Sequence, residues 1–150
     1  MKDLLRTGPG TPRIVLQQRI SATVRAVDHI CLQLRGGVLL DVPAADRFAV
    51  ELLVREALTN AVIHGAKADP ADSILFEMER FPEGVSIRVS DNGAGFDWRR
   101  HLAAEAAPLA ESGRGIQILR RYSDRLQFNA SGNLLEVVRL FKRRTRYDEF

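Results

Sequence analysis

Residues 73–97 read SILFEMERFPEGVSIRVSDNGAGFD, and the pattern in this stretch decides the fold. Apolar residues alternate with polar ones over residues 73–81 and again over residues 85–89, which is typical of half-buried strands. The turn sequence Pro82-Glu83-Gly84 separates the two runs. The stretch therefore predicts an antiparallel hairpin whose second strand leads directly into the glycine-rich turn Asp91-Asn92-Gly93-Ala94-Gly95-Phe96.

Two helices and a strand are predicted upstream of this hairpin. Residues 13–19 alternate like an edge strand. The helix after it ends at Gly36-Gly37, and the second helix opens at Asp41-Val42-Pro43 and ends at Gly65. The first helix carries an apolar stripe at helical spacing, formed by Ile20, Val24, Val27, Cys31 and Leu34.

Downstream of the hairpin, residues 97–111 are alanine-rich without a sustained apolar stripe and predict a mobile lid. Ser112-Gly113-Arg114-Gly115 then opens a third helix, and residues 126–130 and 134–141 form a last hairpin around Ser131-Gly132-Asn133. Along the chain, strands occur as consecutive pairs, and the helices lie before and between these pairs. This order predicts an α/β fold, a two-layer sandwich with helices on one face of a mixed, mostly antiparallel sheet. The tight turns between adjacent strands argue against a doubly wound parallel sheet.

The length of 150 residues fits one ordinary domain, and 45% apolar with 27% charged residues is the composition of a globular chain. We expect a flexible leader over residues 1–12, one domain over residues 13–141 and a basic tail over residues 142–150. No apolar run is long enough to span a membrane, and the start lacks the long apolar core of a secretory signal. The sequence therefore predicts a cytoplasmic protein without membrane partners.

Cysteine and charge content exclude further classes of protein. Cys31 is the single cysteine, so there is no intrachain disulfide and no multi-cysteine zinc site. The net charge of +3 is modest, and aromatic residues make up only 7% of the chain. Because nucleic-acid binding needs a basic face with a reading element, we expect no direct nucleic-acid partner.

Two glycine-rich turns flank the predicted lid: Gly93 with Gly95, and Gly113 with Gly115. Glycine permits a close approach of the backbone to a ligand, and the second turn opens a helix whose N–H groups attract phosphate. Neither turn is a dinucleotide fingerprint or a Walker loop. Taken alone, each is explained better by an ordinary turn between secondary-structure elements than by a nucleotide site.

Glu56, Asn60 and His64 recur every four residues and form one polar ridge on the second helix. An asparagine amide oxygen is a hard ligand suited to Mg²⁺, and a carboxylate one turn away can accept the proton of a hydroxyl or of water. A solvated polar face explains the same spacing, so the ridge alone leaves both interpretations open.

Together these motifs resemble those of the GHKL nucleotide-binding superfamily, which includes gyrase and the histidine kinases. Within it they are most similar to the anti-sigma-factor serine/threonine kinases of bacterial partner-switching systems. Glu56-Ala57-Leu58-Thr59-Asn60-Ala61-Val62-Ile63-His64-Gly65 is similar to the N box of that family. Asp91-Asn92-Gly93-Ala94-Gly95-Phe96 is similar to its first glycine box, and Ser112-Gly113-Arg114-Gly115-Ile116 to its second.

The resemblance implies an ATP- and Mg²⁺-dependent kinase that sequesters a sigma factor or similar target and phosphorylates an anti-sigma-factor antagonist. It further implies that Asn60 coordinates Mg²⁺, that Glu56 acts as general base and that Asp91 accepts a hydrogen bond from the adenine amino group. A homodimer through the first strand and helix is expected. The remaining residues that the resemblance assigns to the nucleotide and the lid are His64, Gly65, Gly93, Gly95, Phe96, Ser112, Gly113, Arg114, Gly115 and Ile116.

The chain departs from the family pattern in two places. Glu111 precedes the second glycine box, where the group often carries a basic residue, and Arg114, or Arg99 and Arg100, are the candidates to replace it. The last hairpin lacks a threonine that many members use. These departures keep a non-catalytic, nucleotide-responsive binding module open as an alternative.

A second alternative is a histidine kinase catalytic domain. Ile63 stands where such domains usually carry lysine, three residues after the box asparagine. His29 lacks the usual context of a phosphoacceptor helix, so this alternative is disfavoured.

Overall fold

Within residues 12–64, 73–103 and 114–141, which the computed structural model describes, five strands form one antiparallel sheet in the order β1-β2-β3-β5-β4. The predicted central hairpin is confirmed, because β2 and β3 pair antiparallel from Ile74 opposite Asp91 to Phe81 opposite Gly84. The last hairpin is confirmed as well. The strands are β1 Arg13–Ile20, β2 Ile74–Phe81, β3 Gly84–Asp91, β4 Arg125–Phe128 and β5 Leu134–Leu140.

Several predictions concern residues outside the described ranges. They are the leader up to residue 11, the tail over residues 142–150, and the lid from residue 104 onward. Gly65, Ser112 and Gly113 also lie there. Of residues 101, 103 and 114, only the backbone is described.

Four α-helices occur in the described part of the chain, and none of the described helices is long and apolar enough to cross a membrane. The long helix starts after Pro43 and runs to the end of the predicted polar ridge, as the sequence indicated. The helices are α1 Val24–Gln33, α2 Ala44–His64, α3 Trp98–Ala103 and α4 Arg114–Tyr122.

The predicted limits of the first helix were wrong at both ends. Ile20 ends β1, opposite Ile74, and α1 begins later because Thr23 accepts a hydrogen bond from the Ala26 N–H at 3.1 Å. At the other end, the chain passes through the Gly36-Gly37 pair in a π-helical turn, Leu34–Val38, instead of stopping there. Ile20 faces the core from the end of β1, and its distance of four residues from Val24 happens to fit the helical stripe as well.

The helices cover one face of the sheet, as predicted. Alternate residues of the central strands are buried beneath them, including Phe76 and Met78 on β2 and Ile87 on β3. The opposite face is polar, and there Arg88 donates a hydrogen bond to Glu136 on the neighbouring strand at 2.9 Å. The two-layer α/β prediction is therefore confirmed, and all four described strand pairings are antiparallel.

A buried ion pair connects β5 with α2, and the same arginine also bonds to the end of α4. Arg139 on β5 donates through Nη2 to Asp46 Oδ1 at 2.9 Å, in the first turn of α2. Its Nη1 donates to the carbonyl oxygen of Tyr122, the last residue of α4, at 2.8 Å. Because both side chains are nearly inaccessible to solvent, this pair fixes how α2 and α4 lie against β5.

Candidate functional site

The long helix α2 brings Glu56 next to the second glycine box. A Cβ atom built on Gly115, in the first turn of α4, would lie 2.9 Å from Glu56 Oε2. That is closer than side chains normally approach, so a residue larger than glycine at this position would push the carboxylate aside. The structure therefore joins two of the predicted motifs at one carboxylate.

The Glu56 carboxyl is half-buried, and among the described residues no hydrogen bond to it is formed. Burial raises the pKa of Glu56 above its usual value, and the nearby Arg55 guanidinium partly opposes this effect. A carboxylate with a raised pKa is a stronger proton acceptor near neutral pH than an ordinary surface glutamate. This environment suits a general base.

Asp91 lies at the end of β3 and opens the first glycine box. Its Oδ1 accepts a hydrogen bond from the Gly93 N–H at 2.7 Å. Burial raises the pKa of Asp91, and this backbone hydrogen bond acts in the opposite direction. The carboxyl is therefore held in one orientation at the end of the central strand.

Side chains from α2, β3 and the last hairpin meet around a small cavity of about 10 Å³, which is space for roughly one water molecule. The N box and the first glycine box thus face the same cavity, and the described residues that line it include no arginine or lysine. Its lining residues are Ala57, Asn60, Ala61, His64, Val89, Asp91, Phe96, Phe128, Gly132, Asn133, Leu134 and Leu135.

Two aromatic contacts close this cavity. The Phe96 ring stacks on the His64 imidazole, with centroids 4.4 Å apart and planes 10° from parallel. The Phe96 and Phe128 rings form an edge-to-face contact, with centroids 5.5 Å apart. His64 and Phe96 were both predicted at the site, and the structure brings them into direct contact among the residues that line the cavity.

The remaining predicted residues divide into three groups. Gly93 and Gly95 lie in the loop beside the cavity, whereas Ile116 lies on the core-facing side of α4 and is buried. Arg99 stacks over the Trp98 ring at 4.3 Å, and Arg100 is exposed. Gly65, Ser112, Gly113 and the Arg114 side chain lie outside the described structure.

The start of the predicted lid is ordered into a short helix, α3, which the sequence did not indicate. Asp97 caps it, because Asp97 Oδ1 accepts from the Arg100 N–H at 3.3 Å. The Trp98 indole stacks on Phe128, with centroids 5.4 Å apart. Residues 98–103 of the predicted mobile lid therefore form a helix that packs against β4.

The turn between β4 and β5 also contributes to the candidate site, which the sequence did not predict. Gly132 and Asn133 line the cavity, although the sequence showed only a hairpin turn there. Gly132 has a φ of +82°, and a Cβ atom on it would lie 2.5 Å from the Phe96 carbonyl oxygen. A glycine between two polar turn residues was the available signal, but it did not show which loop the turn contacts.

The metal-binding capacity of the site depends on oxygen ligands. In the described residues, no group of three or more histidine, cysteine, aspartate or glutamate side chains could hold a metal ion. The Asn60 amide oxygen beside the Glu56 carboxylate fits a Mg²⁺ ion that takes most of its ligands from phosphate and water.

Comparison with known proteins identifies the family. Residues 20–140 match the family described as "Histidine kinase-like ATPase domain". An anti-sigma F factor of Clostridium perfringens is 31% identical over 88 residues, which cover 56% of this chain and 63% of that protein. The serine/threonine-protein kinase BtrW of Bordetella bronchiseptica is 28% identical over 109 residues, covering 68% of this chain and 70% of that one. The matched regions span just under two thirds of the first curated relatives.

Among solved structures, the RsbU and RsbW domains of Rv1364c from Mycobacterium tuberculosis superpose with a TM-score of 0.59 and 21% identity. The match covers 91% of this chain and 34% of that one, and it shows the fold. The resemblance carried by the three motifs is thereby confirmed. This chain belongs to the histidine kinase-like ATPase (GHKL) domain family, and anti-sigma F factors and a serine/threonine kinase are among its relatives.

Proposed function

We propose that this protein is an ATP-dependent serine/threonine kinase that also acts as an anti-sigma factor in the cytoplasm. It would hold a sigma factor or similar target and phosphorylate a small antagonist protein. The observation that carries this proposal is the meeting of three motifs in one place. On α2, Glu56 lies against Gly115 of α4, and Asn60, one turn further along, lines the cavity beside Asp91.

Each side chain has a separate part in the proposed transfer. Glu56 accepts the proton of the substrate hydroxyl as that oxygen bonds to the γ-phosphorus. The bond from the γ-phosphorus to the β,γ-bridging oxygen breaks, and ADP leaves with the electron pair. Asp91 receives the adenine amino group, and Asn60 would hold a Mg²⁺ ion, which supplies charge neutralisation at the phosphates when bound.

Nucleotide binding requires the cavity to widen. A purine ring is far larger than the space for one water molecule beside Asp91. The Phe96 ring, which stacks on His64, is the side chain that must turn away, because the backbone around it is fixed by the last hairpin. We therefore expect ATP to release the Phe96–His64 stack.

The partners follow from the relatives and from the free edge of the sheet. The curated relatives include proteins named anti-sigma F factors, which supports a sigma-factor target and an antagonist substrate. In the described residues, β1 pairs only with β2, and Val24 and Leu32 on α1 are exposed. We propose a homodimer through β1 and α1. Crosslinking at micromolar concentration that yields only monomer would contradict it.

The deciding experiment is phosphate transfer. The purified protein is incubated with Mg²⁺, radiolabelled ATP and antagonist proteins encoded near its gene, and the acid stability of the label is measured. Acid-stable label on an antagonist supports the proposal, and Glu56→Gln should remove it while ATP still binds. Acid-labile label would instead indicate transfer to histidine.

One observation favours the alternative of a non-catalytic nucleotide switch. Arg99, one of the candidates to reach a terminal phosphate, instead stacks over the Trp98 ring, with its guanidinium carbon 4.3 Å from the ring centroid. ATP binding that alters partner affinity without transfer to any antagonist would support this alternative.

A further inference from the structure

In the turn between β4 and β5, residues 129–133, the residue Asn133 forms two hydrogen bonds with the first glycine loop. The Asp91 N–H donates to the Asn133 carbonyl oxygen at 3.0 Å. The Asn133 Nδ2 donates to the Gly93 carbonyl oxygen at 3.1 Å. Asn133 therefore forms a hydrogen bond with each end of the tripeptide Asp91-Asn92-Gly93. Within this tripeptide, the Gly93 N–H also donates to the Asp91 carboxylate.

Asn129 in turn fixes Asn133. Its Oδ1 accepts hydrogen bonds from the N–H groups of Gly132, Asn133 and Leu134 at 2.8, 3.0 and 3.1 Å. Its Nδ2 donates to Asn133 Oδ1 at 2.6 Å. The primary amide of Asn129 supplies both the acceptor and the donor that this arrangement uses. Asn129 does not line the cavity, so its effect on the site passes through Asn133.

Two further contacts hold the loop against the same turn. Gly95 has a φ of +83°, and a Cβ atom on it would lie 1.7 Å from the Ser131 carbonyl oxygen. The Trp98 Nε1 donates to the Asn129 carbonyl oxygen at 2.9 Å. The backbone of the glycine loop is thus fixed at its start, its middle and its end.

We propose that Asn129 is a positioning residue for recognition of the nucleotide base. Through Asn133 it orients the Asp91 carboxylate, and it thereby sets the preference for a purine with an amino group at C6 over one with an oxygen there. The inference rests on the proposed function, because it requires that Asp91 receives the base.

The test measures dissociation constants for ATP and for inosine triphosphate, which carries oxygen at C6. The wild-type protein should prefer ATP by roughly 10-fold or more, the range for a hydrogen bond to a charged group. Asn129→Ala and Asn133→Ala should each reduce that preference by at least about 3-fold, mainly by weakening ATP binding. In an Asp91→Ala background, Asn129→Ala should change the preference no further, because the two residues act in series.

The matched control is Asp124→Ala. Asp124 Oδ2 accepts the Leu140 N–H at 2.7 Å near the opposite end of the same hairpin, so its loss destabilises the hairpin without touching the glycine loop. It should leave the ATP preference unchanged. Asn129→Asp, which keeps the three accepted hydrogen bonds but sets a carboxylate oxygen against Asn133 Oδ1 in place of the donor, provides a second variant if Asn129→Ala fails to fold.

The outcomes are distinguishable. If wild-type protein prefers ATP and folded Asn129 variants keep the full preference, the positioning role is wrong and the proposed function stands. The same conclusion follows if the Asn129 and Asp91 substitutions have additive effects on the preference. If wild-type protein binds neither nucleotide, the proposed function and this inference are both wrong.

Discussion

The helix α2 carries two acidic residues in contrasting surroundings. Asp46 in its first turn is almost completely buried and receives two hydrogen bonds from Arg139. Glu56, further along the helix, is half-buried, and among the described residues it has no hydrogen bond, although burial raises its pKa. The first carboxylate is satisfied by the fold, whereas the second is left able to take a proton.

This contrast separates stability from function within one helix. A buried ion pair with complete hydrogen bonding contributes to a defined packing of the elements that it joins. A desolvated carboxylate without a partner costs stability, and such groups are concentrated at functional sites. Substitution of Glu56 should therefore reduce activity, whereas substitution of Asp46 should reduce stability.

The largest expected effect is on phosphate transfer by Glu56→Gln. The amide cannot accept the hydroxyl proton, so we expect the rate to fall by roughly 10²- to 10⁴-fold. The ATP dissociation constant should change little, because the base acts on the hydroxyl and not on the nucleotide. Single-turnover transfer and equilibrium ATP binding measure the two quantities. Equal loss in both would show that Glu56 serves binding.

Asp46→Ala should act on stability instead. It leaves the Arg139 guanidinium buried without its carboxylate, which typically costs about 3–5 kcal/mol in free energy of unfolding. Urea denaturation measures the change. The paired variant Asp46→Leu with Arg139→Met removes both charges and should recover much of the loss. If the single and double variants are equally unstable, the ion pair is not the cause.

The elements predicted correctly are those with local patterns. The central hairpin follows from alternation on both sides of Pro82-Glu83-Gly84, and the long helix from its capping and spacing. The three motifs indicated the site because each is contiguous in sequence. Ile20 was misplaced because strand burial and helical spacing coincide at that position.

The features that the sequence missed depend on contacts between distant residues. The helix α3 is stabilised by Trp98 on Phe128, thirty positions further along the chain. Asn133 donates a hydrogen bond to the Gly93 carbonyl oxygen, and no local sequence pattern around either residue predicts this contact. Such pairings arise only when the sheet order places the last hairpin beside the first glycine loop.

Gly95→Ala tests how tightly that loop is held. Any side chain at this position must adopt a left-handed backbone and would collide with the Ser131 carbonyl oxygen. We expect a loss of roughly 1–3 kcal/mol in unfolding free energy, with weaker ATP binding because the loop must shift. Gly36→Ala is the matched control, since a Cβ atom there meets nothing within 4 Å. Equal effects of the two would contradict the close approach.

The smallest effect concerns the pH dependence of stability. Because the pKa of Glu56 is raised on folding, the native state binds this proton more tightly than the unfolded state does. Below the pKa of Glu56 in the unfolded state, the carboxyl is protonated in both states and does not reduce the free energy of unfolding. As the pH rises through the higher pKa of the folded state, the buried carboxyl ionises and the protein loses stability. Glu56→Gln should consequently be more stable relative to wild type at pH 7 than at pH 4, as measured by urea denaturation at both values. A difference that is constant between the two pH values would mean that the carboxyl is solvated in the folded protein, and the contrast with Asp46 would then rest on hydrogen bonding alone.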